Sequence, residues 1–439
     1  MYASLRRRFS RRSLAVTTCF GLLAFACAAE EAEGDGSSDD IEIDKLLEVA
    51  KNQVDRSKPD PTNVWAKRRL EVGEEEILPG DDAEFADMAK RIQKMQRTVQ
   101  AQQGASKVVR GFHAKGNACA QGRLDLDPSG LEASTRVGLF AKAGAYPVWA
   151  RFSNGVGFRQ SDKKVDVRGL AFKVLNVDGA RMRTVAGDDA ARTQDFLMTN
   201  GAITPAPDAR HFMAFGEAMT GEDDSGTVLG RLNNLIGAGK FLLQPENQRI
   251  LDFLAHRTAP NTKKVGSMLG DRFFTGGAFA MGLGAGDAEK SRAKAAAKLQ
   301  AVPGILQGNA CTPVEQLPNK ADPDYLRTDL AKRLATGTVC IDVYLQFQKN
   351  GDSEPMEDTS VEWKTPFVKV GRITFPKVDI NAGSGAKAEA FCTDISFTPW
   401  HTLADHRPLG NIMRARRPVY RASAELRGAK PEPTGSETF

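Results

Sequence analysis

The chain has 439 residues, 41% of them hydrophobic and 26% charged, which is globular composition with ample length to bury a core. Its net charge is only +5, and no basic run is interleaved with aromatics beyond the leader. Nucleic acid is therefore excluded as an expected partner.

Residues 1–28 read as an export signal, with the basic "MYASLRRRFSRRS" ahead of the apolar "LAVTTCFGLLAFACAA". That run is shorter than a bilayer span wants, so any membrane attachment is expected through this leader alone. Ser10-Arg11-Arg12 with Leu14 resembles a twin-arginine signal. Ala24-Phe25-Ala26 permits ordinary cleavage, and Cys27 suits a lipid-modified first residue less well. A periplasmic or extracellular protein is expected. Cys119, Cys311, Cys340 and Cys392 then lie in a compartment that permits disulfides, too far apart for a CxxC motif. Spacing alone leaves both disulfides and buried thiols open.

Residues 29–81 form an acidic tether, "EEAEGDGSSDDIEIDK", and an N-terminal arm with weak helical periodicity at 44–57. At 82–103, Phe85, Met88, Ile92, Met95 and Val99 recur at threes and fours, which predicts an amphipathic helix. From 106 the period changes. "SKVVRGFHAKG", "GRLDLD", "YPVWARFSN", "VDVRGLAFKVLNVDG" and "TQDFLMTN" are short, turn-punctuated and rich in β-branched and aromatic residues, as antiparallel strands are. Residues 208–256 read as mainly helical, and so does the alanine-rich "AEKSRAKAAAKLQAV" at 288–302. Strands return in "TVCIDVYLQFQ" and "FVKVGRITFPKVDI", a basic helix occupies 407–427, and 431–439 reads as a disordered tail. The expected fold class is α+β, an antiparallel β-barrel with surrounding helices, formed by one domain at 82–430.

Four motifs carry chemistry: "RGFHAKG" at 110–116, "PVWARFSNGVG" at 147–157, "DVRGLAFKV" at 166–174 and "RARRPVYRASAELR" at 414–427. Their order and spacing, from Val108 to Arg427, resemble the haem-dependent catalase superfamily, in its small catalase-like peroxidase branch. The resemblance implies a barrel of catalase type holding haem b and its iron. It implies that His113 is the distal general base, with Ser153 orienting it. It implies that Arg110, Arg151 and Arg427 contact the haem, and that Tyr420 is the iron ligand with Arg416 beside it. These residue types suit the work. Imidazole titrates near ~6.5, guanidinium pairs with carboxylates, and a nearby cation stabilises a phenolate.

The sequence departs from the family at several places. "QDFLMTNG" offers Thr199 and Asn200 where catalases carry two asparagines, and Asn200 is taken as the catalytic amide. Thr204-Pro205 replaces an aromatic pair, and Phe112 replaces a small residue before the distal histidine. Pro418 falls between Arg416 and Tyr420, where it is expected to kink or restart the helix. The implied function is an exported haem peroxidase cleaving hydrogen peroxide or organic hydroperoxides with an unidentified electron donor; oligomerisation stays open. The alternatives are a non-catalytic haem-binding protein and an enzyme that rearranges fatty-acid hydroperoxides. Allene-oxide-forming relatives carry threonine where Phe112 stands.

Overall fold

The computed structural model describes residues 54–182, 191–262, 264–306, 309–310 and 322–439. The export signal expected at 1–28, the acidic tether, Cys311 and the first part of the helical pattern at 44–57 lie outside them. Residues 54–57 are not helical.

Eight antiparallel strands close into a barrel. They are β1 (Gly116–Leu126), β2 (Gly144–Asn154), β3 (Arg168–Val174), β4 (Gln194–Thr199), β5 (Phe273–Thr275), β7 (Ala296–Pro303), β10 (Val339–Phe347) and β11 (Phe367–Phe375). The ring runs β10-β11-β1-β2-β3-β4-β5-β7 and shuts through β7–β10 pairing. Two short strands, β6 (Ala278–Ala280) and β12 (Pro408–Leu409), extend the sheet beside β7, and β8 (Ile305–Leu306) pairs separately with β9 (Asn309–Ala310). This is the barrel fold class expected from the sequence.

Two-residue alternation decides what each strand offers to each face. In β2, Val148, Ala150 and Phe152 fill the barrel, while Trp149, Arg151 and Ser153 point outward. In β3 and β4, Leu170, Phe172, Val174, Phe196 and Met198 point inward. The outward rows are set by register: Ser153 opposite Gly169 opposite Thr199, and Trp149 opposite Lys173 opposite Asp195.

Helices cover this outer face. They are α1 (Asp81–Gln102), α2 (Ala209–Thr220), α3 (Val228–Leu242), α4 (Gln248–Asp252), α5 (Ala259–Thr262), α6 (Tyr325–Thr336), α7 (Gly383–Asp394) and α8 (Asn411–Arg427). Between α4 and α5, Phe253–Thr258 winds as a π-helical turn. All five apolar residues expected on the face of α1 are buried, and four of them pack with Ile412, Ala415 and Val419 of α8. No helix among the described residues is long and apolar enough to cross a membrane.

Four local expectations need correction. The alanine-rich stretch expected to be helical holds strand β7 instead, because barrel closure outweighs propensity. Ala297, Leu299 and Ala301 fill the barrel while Lys298 lies 4.4 Å from the centre of the Trp363 ring. The "SKVVRGFHAKG" segment is a loop until Gly116, not a strand. Of the kink or restart expected at Pro418, α8 does not show the restart. The tail is docked: Phe439 packs on Trp149 and Phe391, and Glu432 bonds Lys173.

Candidate active site

A cavity of about 280 Å³ lies between the outer face of β2–β4 and helices α1, α2 and α8. His113 lines it from a loop wrapped against the barrel. The loop is held by backbone hydrogen bonds from the N–H of His113 to Gly155 O (2.8 Å) and of Ala114 to Val156 O (3.1 Å). His113 has φ of 57°, a left-handed turn that aims the ring back at the strands. Its Nδ1 is 3.0 Å from Ser153 Oγ. The ring rests on Gly169, where a Cβ would fall 2.4 Å from Nδ1. Sequence reasoning missed Gly169, although its register opposite Ser153 follows once the strands are paired.

Electrostatics keep this imidazole neutral. Loss of hydration, then the charges of Arg151, Arg416 and Arg110, push His113 down to about 3. Asp166 also lines the cavity and was not singled out from sequence. Burial pushes it up to about 6 despite Arg168 nearby.

The arginines expected to contact a cofactor gather at the cavity edge. Arg110 Nη2 donates to Thr393 O (2.7 Å) and Ile395 O (2.8 Å), and Arg427 donates to Asp394 O (2.9 Å) and Ile395 O (3.2 Å). Arg151 Nη2 donates to His113 O at 2.9 Å, while its buried Nε has no partner. Desolvation, and then mutual repulsion, lower Arg110 well below the usual guanidinium value and take Arg151 down to about 10. Among the described residues no carboxylate pairs with any of the three.

Tyr420 and Arg416 enter the same cavity from α8. The Arg416 guanidinium carbon lies 5.9 Å from the Tyr420 ring centre, so Pro418 does not separate them. Among the described residues the Tyr420 hydroxyl makes no hydrogen bond to protein. The other arginines of this helix are engaged elsewhere: Arg414 with Glu75 and Glu357, Arg417 with Glu289, Arg421 with Glu425.

The amide expected in the distal pocket lies beside the cavity wall, engaged with the fold. Asn200 does not line the cavity: its Oδ1 accepts from Arg168 N (2.8 Å) and its Nδ2 donates to Asp271 (2.8 Å). Thr199, one residue earlier and on the outward row of Ser153, lines it instead. Thr204 also lines the cavity, and the apolar surface lost at Thr204-Pro205 is supplied from elsewhere. Phe112 meets Phe212 of α2 edge to face at 5.3 Å, with Phe253 from the π-helical turn on the same cavity. A Cβ at Gly216 would meet Phe112 at 2.6 Å, so α2 needs glycine there.

These elements fit a ligand that carries carboxylates and a metal that takes oxygen donors: guanidiniums without ion-paired carboxylates, an orphaned Nε and an unpartnered phenol. Solved structures agree on the architecture. The chain is similar to a bacterial catalase (17% identity, TM-score 0.51, covering 74% of this chain and 58% of that one). It is similar to catalase A from Saccharomyces cerevisiae (17% identity, TM-score 0.51, 86% and 70%). A fungal catalase aligns at 16% identity and a TM-score of 0.48, over 86% of this chain and 68% of that one. No family model and no curated protein sequence matches. The fold is thus of catalase type, an α+β architecture built on an antiparallel barrel.

Proposed function

We propose that this chain is a haem-dependent enzyme acting on peroxides. The observation that carries the reading is the His113–Ser153 pair, facing the same cavity as Tyr420 and three arginines without carboxylate partners. Arg110, Arg151 and Arg427 would hold the carboxylates of haem b, and Tyr420 its iron. When bound, haem supplies the redox chemistry of O–O cleavage.

The chain's own part is proton movement and placement. With Nδ1–H given to Ser153 Oγ, the Nε2 of His113 carries a free lone pair. The neutral ring is free to take a proton from one peroxide oxygen and return it to the other, although the same desolvation makes it a weaker base than a free imidazole. Arg416 stands over the Tyr420 ring. Ser153 argues against mere haem storage, since holding haem needs no oriented imidazole. The Phe112–Phe212 wall supports organic hydroperoxides as substrates, consumed with an unidentified electron donor. Export to the periplasm or beyond is part of this proposal, supported by the leader and by a Cys119–Cys392 disulfide.

The test is the visible spectrum of the haem-reconstituted protein. Wild type should give high-spin ferric haem with tyrosinate features, and Tyr420→Phe should lose those features or the haem itself. His113→Ala should keep haem and lose peroxide consumption by about 10²- to 10⁴-fold. An unchanged spectrum in Tyr420→Phe would remove Tyr420 from the proposal.

A further inference from the structure

The Cys119–Cys392 disulfide lies directly behind the arginine cluster. Cys119 is the cross-strand partner of Arg151 on β1–β2. Cys392, 273 residues later, sits at the end of α7, with the two Cα atoms 5.8 Å apart. The next three residues, Thr393, Asp394 and Ile395, supply every carbonyl that Arg110 and Arg427 bond. One covalent link therefore ties those carbonyls to β1, at the residue paired with Arg151 on the neighbouring strand β2.

The chemistry of these acceptors matters. A carbonyl orients a guanidinium without cancelling its charge, whereas a carboxylate would cancel it. Arg110 and Arg427 are thus aimed at the edge of the cavity with no carboxylate in ion-pair contact, although the charge of Asp394 reaches both. The bonds around the link hold only part of this arrangement. The N–H of Ile395 reaches Phe391 O at 3.2 Å within the segment, and that of Lys430, from the C-terminal tail, reaches Asp394 O at 3.1 Å. Neither ties it to β1; Arg327 does so by polar contacts, to Asn117 O (3.2 Å) and to Glu389 of α7 (3.1 Å), but it reaches α7 before the residues that hold the arginines.

We propose that the disulfide is a positioning element for carboxylate recognition, holding residues 393–395 so that the three guanidiniums stay preorganised for the two carboxylates of haem. This rests on the haem reading above. Preorganised donors bind more tightly because less freedom is lost on binding. Loosening the segment should weaken carboxylate binding selectively, with the apolar part of the site unaffected.

The probes are iron-free protoporphyrin IX and its dimethyl ester, which lacks the carboxylates, titrated by fluorescence into the apoprotein. Wild type should prefer the free acid. In Cys119→Ala/Cys392→Ala the free-acid affinity should fall about tenfold, as expected for partial loss of one charged hydrogen bond, with the ester affinity unchanged. Arg427→Ala should show the same selectivity. Should the double variant fail to fold, Cys119→Ser/Cys392→Ser removes the same link with side chains closer in size to the thiols and gives the same comparison. Equal weakening of acid and ester, or no weakening of the acid, overturns the positioning role while wild-type preference for the acid preserves the haem reading. Wild type showing no such preference overturns both.

Discussion

Replacing Gly169 with alanine places a methyl carbon 2.4 Å from His113 Nδ1, 2.5 Å from Cε1 and 2.9 Å from Ser153 Oγ. Ordinary contact begins near ~3.5 Å, so the imidazole must retreat by roughly 1 Å. Its backbone cannot follow freely, because the N–H groups of His113 and Ala114 are bonded to Gly155 and Val156. The strain should cost about 1–3 kcal/mol, in the range of overpacked cores. A misplacement of ~1 Å in a catalytic base should cost about 10²-fold in rate. Tyr420, Arg151 and Arg427 stand on other elements, so haem binding should persist. The assay is a double-mutant cycle with His113→Ala, followed by thermal unfolding and peroxide consumption. Once the ring is gone, alanine at 169 should cost almost nothing in stability, giving a coupling energy close to the single-variant penalty. A Gly169→Ala protein with wild-type stability and turnover, or an equal penalty in both backgrounds, would refute the placement of His113 over this glycine.

Thr199→Ala should alter peroxide cleavage with little loss of stability, whereas Asn200→Ala should lose about 1–3 kcal/mol by stranding Arg168 N and the Asp271 carboxyl. Parallel unfolding and turnover measurements separate the two, and the reverse pattern would return the catalytic role to Asn200. In the apoprotein, ring NMR should show His113 neutral throughout the physiological range and protonating only near pH 3, since its shift is downward. A midpoint near 6 would mean that desolvation and the arginine charges do not reach the ring. Lys173→Met should cost about 3–5 kcal/mol by leaving Asp195 and Glu432 without their buried cation. Burial alone would raise Asp195, but Lys173 and His401 outweigh it and hold the carboxyl below its usual range, so this stabilisation is present above ~4 and lost as pH falls through the depressed native value. The gap between wild type and variant, read by denaturant unfolding, should accordingly close in acid.

Much of this was legible before any fold was seen. Turn punctuation with β-branched and aromatic residues predicted a strand at "PVWARFSN", and β2 forms there, with Phe152 inside and Arg151 and Ser153 outside. Threefold and fourfold spacing predicted the buried face of α1. Local composition misled at β7, where alanine and lysine favour helix but the barrel needs small residues to close. It also missed α6 and α7, whose faces are set by the strands they cover and not by strong periodicity.

Sequence by itself determined which side chains were on offer: an imidazole, a serine, a tyrosine and arginines in a spaced order along one chain. Tertiary structure decided which of them meet. A shift of one residue moves a strand side chain to the opposite face, so only pairing could separate Thr199, on the cavity, from Asn200, held by Arg168 and Asp271. Only packing could show that Gly169 makes the floor beneath His113. Only the return of α7 to β1 could bring Cys392 to Cys119 across 273 residues, because no local spacing records a contact made by the closing of the fold.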